Sequence, residues 1–195
     1  MKIAIIKYNA GNTKSVEYAL ERLGVYADIT DDHEKIRSAD KVIFPGVGNA
    51  ATAIDHLKEK QLDKIIKELK QPVLGVCLGL QLLCEHTEEG DLECLGIFNT
   101  RVRKFNSSTD FKVPHVGWNQ VEKNTSSIMK DIADGSDVYF VHSYYAEICE
   151  YTGAVTDYIQ PFSAVLQKDN FYAAQFHIEK SGGTGETILK NFIQL

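Results

Sequence analysis

Val73-Leu74-Gly75-Val76-Cys77-Leu78-Gly79-Leu80-Gln81-Leu82-Leu83 is the stretch on which the fold turns. The apolar run up to Val76 has the length of a buried strand. From Leu78 onward the spacing becomes helical, with Leu78, Gln81, Leu82 and Glu85 on one face, and predicts a helix from Leu78 to His86. Between them, Gly75-Val76-Cys77-Leu78-Gly79 has the form of a Gly-x-nucleophile-x-Gly elbow with cysteine in the serine position. Such a turn holds the nucleophile at strained backbone angles and brings neighbouring chains so close that a β-carbon on either flank would obstruct them. The helix start would polarise the sulfur toward thiolate, and the Leu78 N–H would be placed to bind an oxyanion.

Working outward, the first hundred residues alternate short β-branched runs with amphipathic segments, the mark of βαβ units wound into a mainly parallel sheet. Strands are expected at Ile3 to Ile6, Val25 to Ile29, Lys41 to Phe44 and Val73 to Val76. A helix is expected from Thr13 to Leu23, and one long or two short helices from Ala50 to Leu69. After about residue 96 the pattern changes to short alternating strands: Gly96 to Phe105, Val113 to Val121, Val138 to Tyr145, Gly153 to Thr156, Ala164 to Gln167 and Phe171 to Phe176. A last helix carries Ile188, Leu189, Phe192 and Ile193 as its apolar stripe. The fold class is therefore α/β: a flavodoxin-like, doubly wound, mainly parallel sheet with added antiparallel strands in the C-terminal half. No repeat or linker divides the chain, so residues 1–195 are read as one domain with one core.

At 44% apolar and 25% charged residues the 195-residue chain sits near the globular average, which excludes disorder and fibrous folds. With 27 acidic against 21 basic side chains, the surface is unsuited to gripping nucleic acid. No apolar run approaches the roughly 18 residues of a membrane span. The run Met1 to Ile6 breaks at Lys7, too soon for a signal-peptide core. A soluble, cytoplasmic protein without a membrane or nucleic-acid partner is expected. Cysteines 77, 84, 94 and 149 show neither zinc-ligand spacing nor a secreted disulfide framework, so no metal and no cofactor are expected.

Pro45-Gly46-Val47-Gly48 ends another strand, and carboxyl ends of strands in such a sheet line a common crevice. Its glycines free the backbone to aim a second N–H, from Gly46 or Val47, at the oxygen Leu78 would bind. A thiol nucleophile also needs a base. His33, His56 and His86 lie in polar surroundings, whereas His115, His142 and His177 each end a strand-like run. Of these, His177 has a carboxylate two residues on in Glu179, able to fix the imidazole tautomer.

Taken together, these segments resemble the class-I, triad-type glutamine amidotransferases. The motifs are Pro45 to Gly48, Gly75 to Leu83, and Gln175-Phe176-His177 with Glu179-Lys180-Ser181. Gly11-Asn12 with Ser15, Val113-Pro114-His115-Val116-Gly117-Trp118-Asn119, and Tyr139-Phe140-Val141-His142-Ser143-Tyr144-Tyr145 are similar to one subgroup, the glutaminase subunits of imidazole glycerol phosphate synthases in histidine biosynthesis. The resemblance implies that Cys77 attacks the side-chain amide of L-glutamine, His177 shuttles protons and Glu179 orients it. It implies that Gly46, Val47 and Leu78 form the oxyanion hole and that Gly48, Gln81, Glu89, Ser143 and Tyr144 hold glutamine. It further implies a heterodimer with a separate cyclase chain, which is a (β/α)₈ barrel that receives ammonia, with Asn12, Ser15, Trp118, Tyr139 and Lys180 at the interface. The chain departs from the usual pattern at Ile178, where proline is common, at Lys7-Tyr8-Asn9, where Asp-Tyr-Gly is common, and at Asn49-Ala50-Ala51, which lacks an aromatic. Two competing readings are another cysteine hydrolase of similar fold, such as a glutaminase serving vitamin B6 synthesis or a γ-glutamyl hydrolase, and a non-catalytic flavodoxin-like module.

Overall fold

The computed structural model describes residues 1–9, 11–106 and 109–195. Its first half runs β1 (Ile3–Ile6), α1 (Thr13–Arg22), β2 (Ala27–Thr30), α2 (His33–Ser38), β3 (Lys41–Phe44), α3 (Ala50–Glu59), α4 (Leu62–Glu68), β4 (Val73–Val76) and α5 (Leu78–Leu83). The segment from Ala50 to Leu69 is two helices, broken where Gln61 takes a left-handed φ of 56°. Helix α2 escapes the sequence reading because its six residues bury only Ile36, too little to show a period. Its start is nevertheless chemically marked, since the Asp32 carboxylate accepts from the Glu34 and Lys35 N–H groups.

The second half continues with β5 (Cys84–Thr87), β6 (Leu92–Glu93), β7 (Phe98–Lys104), β8 (His115–Val121), β9 (Ser136–His142), β10 (Tyr144–Ala146), β11 (Thr152–Asp157), β12 (Pro161–Lys168), β13 (Phe171–Ala174) and α6 (Gly182–Gln194). Two expectations need correction. The helix after Cys77 stops at Leu83, and Cys84–Thr87 is strand, pairing parallel with β7 and antiparallel with β6. Sheet partners outweigh the helical spacing there: the Gly96 N–H donates to the Cys84 carbonyl at 2.7 Å and the Cys94 N–H to Glu85 at 2.8 Å. The strand expected from Val138 to Tyr145 is broken at Ser143, because β9 pairs with β8 whereas β10 pairs with β7 in another sheet.

Among the described residues the main sheet has seven strands in the order β11-β12-β13-β4-β3-β1-β2. Pairing is parallel from β13 to β2 and antiparallel from β11 to β13. Counting only the parallel strands, the order is that of flavodoxin-like sheets. Alternation along each strand splits the core in two. Ile3, Ile5, Ile43, Leu74 and Val76 pack under α1 and α6, through Val16, Leu20, Ile188 and Phe192. Ala4, Ile6, Val42, Phe44 and Val73 pack under α2 to α4, through Ile36, Leu57, Ile65 and Ile66. Among the described residues, no helix is long and apolar enough to cross a membrane.

Helix α5 is pressed onto the ends of β3 and β4, an approach that Gly79 in the helix and Gly75 in β4 permit. A β-carbon on Gly79 would overlap the Phe44 carbonyl oxygen, and one on Gly75 would lie 2.7 Å from Leu83 Cδ1. Gly79→Ala is therefore expected to destabilise the fold by about 2–3 kcal/mol, lowering Tm by roughly 4–12 °C in a thermal melt. Gly183→Ala, in the first turn of α6 with nothing within 4 Å, should leave Tm unchanged or raised.

Candidate active site

Strands β4 and β13 are parallel neighbours, with Gly75 opposite Ala173 and Val76 opposite Ala174. The Cys77 N–H continues that ladder, donating to the Ala174 carbonyl at 2.8 Å. The residues that leave these two strands therefore emerge side by side: Cys77 from one, Gln175 to His177 from the other. Cys77 sits at φ 54° and ψ −109°, a strained conformation for a residue with a β-carbon, which lifts its side chain clear of the strand and the helix it joins. The imidazole of His177 faces it. A single 3₁₀ turn, Ile178–Lys180, folds the Glu179 carboxylate back onto His177, so that Nδ1 donates to Oε1 at 2.8 Å. The strand end is fastened as well: the His177 N–H donates to the Tyr139 carbonyl at 2.8 Å, and Ser181 Oγ donates to the His177 carbonyl at 2.7 Å.

Burial alone would lower the pKa of His177. Hydrogen bonds to Cys77 and Glu179, together with their negative charges, outweigh it and raise the value to about 10. The dyad thus favours an imidazolium beside Cys77, a proton donor placed next to a cysteine nucleophile. Gln175, fully buried, adds a donor, its Nε2 lying 4.0 Å from the Cys77 sulfur. Because α5 is only six residues long, the charge set beside the sulfur is that of the imidazolium and not that of a long helix dipole.

Cys77 and His177 open on a cavity of about 310 Å³, lined also by Val47, Gly48, Leu78, Gln81, Glu89, Val141, His142, Ser143 and Tyr144. That volume is at the lower end of small-molecule sites. Glu179 lies behind His177, away from the cavity and almost fully enclosed, and Gly46 lies behind Val47. Three of the polar groups are already engaged. The Leu78 N–H, left free in the sequence reading, donates to the Gly46 carbonyl at 3.2 Å. The Glu89 carboxylate accepts from the Ala50 N–H at 3.0 Å and from Asn49 Nδ2 at 3.2 Å, while Asn49 Oδ1 caps α3 through Ala51 and Thr52. Asn49 thus takes up a structural task at the place where the usual aromatic is missing. Gln81 donates from Nε2 to the Tyr144 carbonyl at 2.9 Å and to Gln175 Oε1 at 3.1 Å, which leaves its own Oε1 to accept from a ligand. Tyr8 anchors the start of the Gly46–Gly48 turn by donating to the Pro45 carbonyl at 2.6 Å.

The five residues expected at a partner surface lie outside the cavity. Asn12 and Ser15 stand directly behind Glu179: Asn12 Nδ2 donates to Glu179 Oε1 at 3.2 Å, and Ser15 Oγ donates to Asn12 Oδ1 at 2.6 Å. Trp118 and Tyr139 are cross-strand neighbours on the outward face of β8 and β9, with rings 5.7 Å apart and Lys180 Nζ 6.0 Å from the tyrosine ring. Trp118 is 57% exposed, and Val116 beside it is 56% exposed. The sequence reading named Val116, Val141, His142, Gln175 and Asn49 within its motifs but gave none of them a place in the site or on the partner surface. Strand alternation could have found the first two, which share a face with Trp118 and Tyr139.

The family described as glutamine amidotransferase class-I matches residues 4–195. The chain is 57% identical over 196 residues to the imidazole glycerol phosphate synthase subunit HisH of Bacteroides thetaiotaomicron, covering all of both chains. It is 45% identical to the protein of that name from Idiomarina loihiensis, covering 100% of this chain and 98% of that one. Among solved structures, a putative GMP synthase subunit from Thermoplasma acidophilum aligns with TM-score 0.75 at 21% identity, covering 100% of this chain and 92% of that one. PurLQS from Thermotoga maritima aligns with TM-score 0.72 at 16% identity, covering 99% and 97%. At those identities the solved structures speak for the fold alone.

The histidines predict opposite responses to pH. The raised value of His177 stabilises the folded chain below about pH 6.5, and that contribution is lost as pH rises toward 10. Ring-nitrogen NMR should find His177 protonated at pH 8, and in Cys77→Ala its titration should move down. His115 and His142 are held by burial at about 4 and about 3. They contribute stability above pH 6.5 that is lost as pH falls through those values. In urea unfolding, replacing both with glutamine should therefore reduce the loss of stability between pH 7 and pH 4.

Proposed function

The chain belongs to the class-I glutamine amidotransferase family, and from that premise we propose that it is the glutaminase subunit of an imidazole glycerol phosphate synthase. In this reading residues 1–195 form one amidotransferase domain that hydrolyses L-glutamine and passes ammonia to a separate cyclase chain, which is a (β/α)₈ barrel. The observation that carries the chemistry is Cys77 at positive φ facing an imidazole whose other nitrogen is bonded to Glu179. Full-length identity of 57–59% to Bacteroides chains named for that synthase subunit supports the choice of pathway.

The geometry supports the following steps. The Cys77 thiolate attacks the δ-carbonyl carbon of glutamine, and the carbonyl π electrons move to oxygen. The His177 imidazolium protonates the departing nitrogen, ammonia leaves, and a thioester remains. Neutral His177 then takes a proton from water, whose hydroxide adds to the thioester; collapse expels the thiolate and releases glutamate. Glu179 holds the imidazole tautomer through its bond to Nδ1. Gln81 Oε1 and the Glu89 carboxylate suit the α-ammonium of glutamine, and the Ser143 hydroxyl suits its α-carboxylate.

The tetrahedral oxygen needs N–H donors, and here the Leu78 N–H is taken by Gly46. Rotation of the Gly46–Val47 peptide would withdraw that carbonyl and present the Val47 N–H instead, completing the hole with both amides. Gly48, at φ 108°, supplies backbone freedom beside the rotating peptide. A partner seated on Trp118, Tyr139 and Lys180, and reaching Asn12 and Ser15, would bias the rotation from outside the cavity. It would also keep the product as free ammonia, since ammonium is no nucleophile.

Glutamate release from glutamine should be weak for the isolated chain and rise about 10²-fold to 10³-fold when the cyclase chain and its ligand are added, the scale of an oxyanion donor. Cys77→Ala should abolish release while leaving the circular dichroism spectrum unchanged. Equal turnover alone and in complex would rule out the peptide rotation. Ammonia transfer to a cyclase distinguishes this reading from a stand-alone glutaminase.

A further inference from the structure

Two buried histidines take no part in the chemistry above. We infer that His115 and His142 are a positioning pair for the glutamine pocket: their hydrogen-bonded chain fixes the Tyr144 carbonyl, which in turn orients the buried amides of Gln81 and Gln175. The inference rests on the glutaminase reading and adds residues to it.

The Tyr144 carbonyl can only accept, so every proton around it is assigned from there. His142 Nδ1 lies 2.7 Å from that oxygen and must carry a hydrogen. His142 is buried, so it is held neutral and its Nε2 is an acceptor. His115 Nδ1, 3.0 Å away, must then be the donor. That leaves His115 Nε2 as an acceptor, and Asn119 Nδ2 donates to it at 3.4 Å while giving its other hydrogen to the Asp157 carbonyl at 2.9 Å.

The second arm is assigned in the same way. Gln81 Nε2 donates to Tyr144 at 2.9 Å and to Gln175 Oε1 at 3.1 Å, so Gln175 must turn its nitrogen toward the Cys77 sulfur, 4.0 Å away. Gln81 is left with an acceptor and Gln175 with a donor where the reaction needs them. The pair cannot easily rotate: His115 is stacked between Tyr158 and Phe140, with centroids 3.8 and 4.8 Å away at 15° and 19°. An apolar pair would fill the same space without desolvating two imidazoles, but it would leave the Tyr144 carbonyl short of a donor. His142 also lines the cavity with Cys77 and Gln81, so the chain runs from strand β8 to the site.

The test compares three substitutions in the complex of this chain with its cyclase. His142→Asn keeps an N–H close to the Nδ1 position, whereas His142→Leu has none, and the longer amide of His142→Gln overshoots the carbonyl. KM for glutamine is expected to rise about tenfold in the Leu and Gln variants, the worth of one hydrogen bond. The Asn variant should stay within about threefold of wild type. Alkylation of Cys77 by iodoacetamide should follow the same order, slowest in Leu and Gln, because Gln175 is no longer held. Equal KM values in Asn and Gln, or alkylation rates that do not separate them, would overturn the pair's role, and this comparison stands even if His142→Leu fails to fold. A wild-type complex that releases no glutamate would overturn the glutaminase reading instead, while the alkylation order would still decide the pair.

Discussion

Everything at the site depends on the register of β4 beside β13. The two strands lie far apart in the chain, and only their parallel pairing, Val76 against Ala174, brings the sulfur of one loop to the imidazole of the other. A slip of one residue would move that imidazole about 3.3 Å along the sheet and turn each strand's side chains to the opposite face. Both strands are buried on both faces, by Leu74 and Val76 on one side and Val73 and Ala173 on the other. The packing that stabilises the fold therefore also sets the distance on which the chemistry relies.

Around that pair, most of the polar groups bond to one another. Leu78 is bonded to Gly46, Glu89 to the start of α3, and Gln81 to Tyr144 and Gln175. Exchanging the Leu78 bond for one to another acceptor is close to neutral, since one hydrogen bond replaces another, whereas the Gln81 bonds can persist because its Oε1 is the atom left over. A site arranged in this way is held by its own hydrogen bonds and is sensitive to small biases. The strained Cys77 is the opposite case, a fixed cost accepted so that one side chain projects where it must.

Much of this was legible in the sequence because the decisive signals are local. The elbow at 75–79 is steric, and Gly79 against the Phe44 carbonyl shows why no other residue serves. The strands β1, β3 and β4 have continuous apolar runs, and their bounds were read without error. What stayed hidden is set by tertiary partners. Cys84–Thr87 carries a helical period and becomes strand because β6 and β7 supply its hydrogen bonds. The break at Ser143 depends on two different sheets claiming its neighbours. The bond between Leu78 and Gly46 depends on one peptide's rotation, to which composition and spacing are blind.

Asn12 occupies the residue before α1 yet does not cap it, because its amide is turned to Glu179. An uncapped helix start forgoes roughly 1 kcal/mol and is the part of a helix that frays first. Were that turn to unwind, the carboxylate behind His177 would lose a neighbour. The start of a surface helix and the tilt of the imidazole are in this way joined through one carboxylate oxygen, so that whatever steadies the one would steady the other.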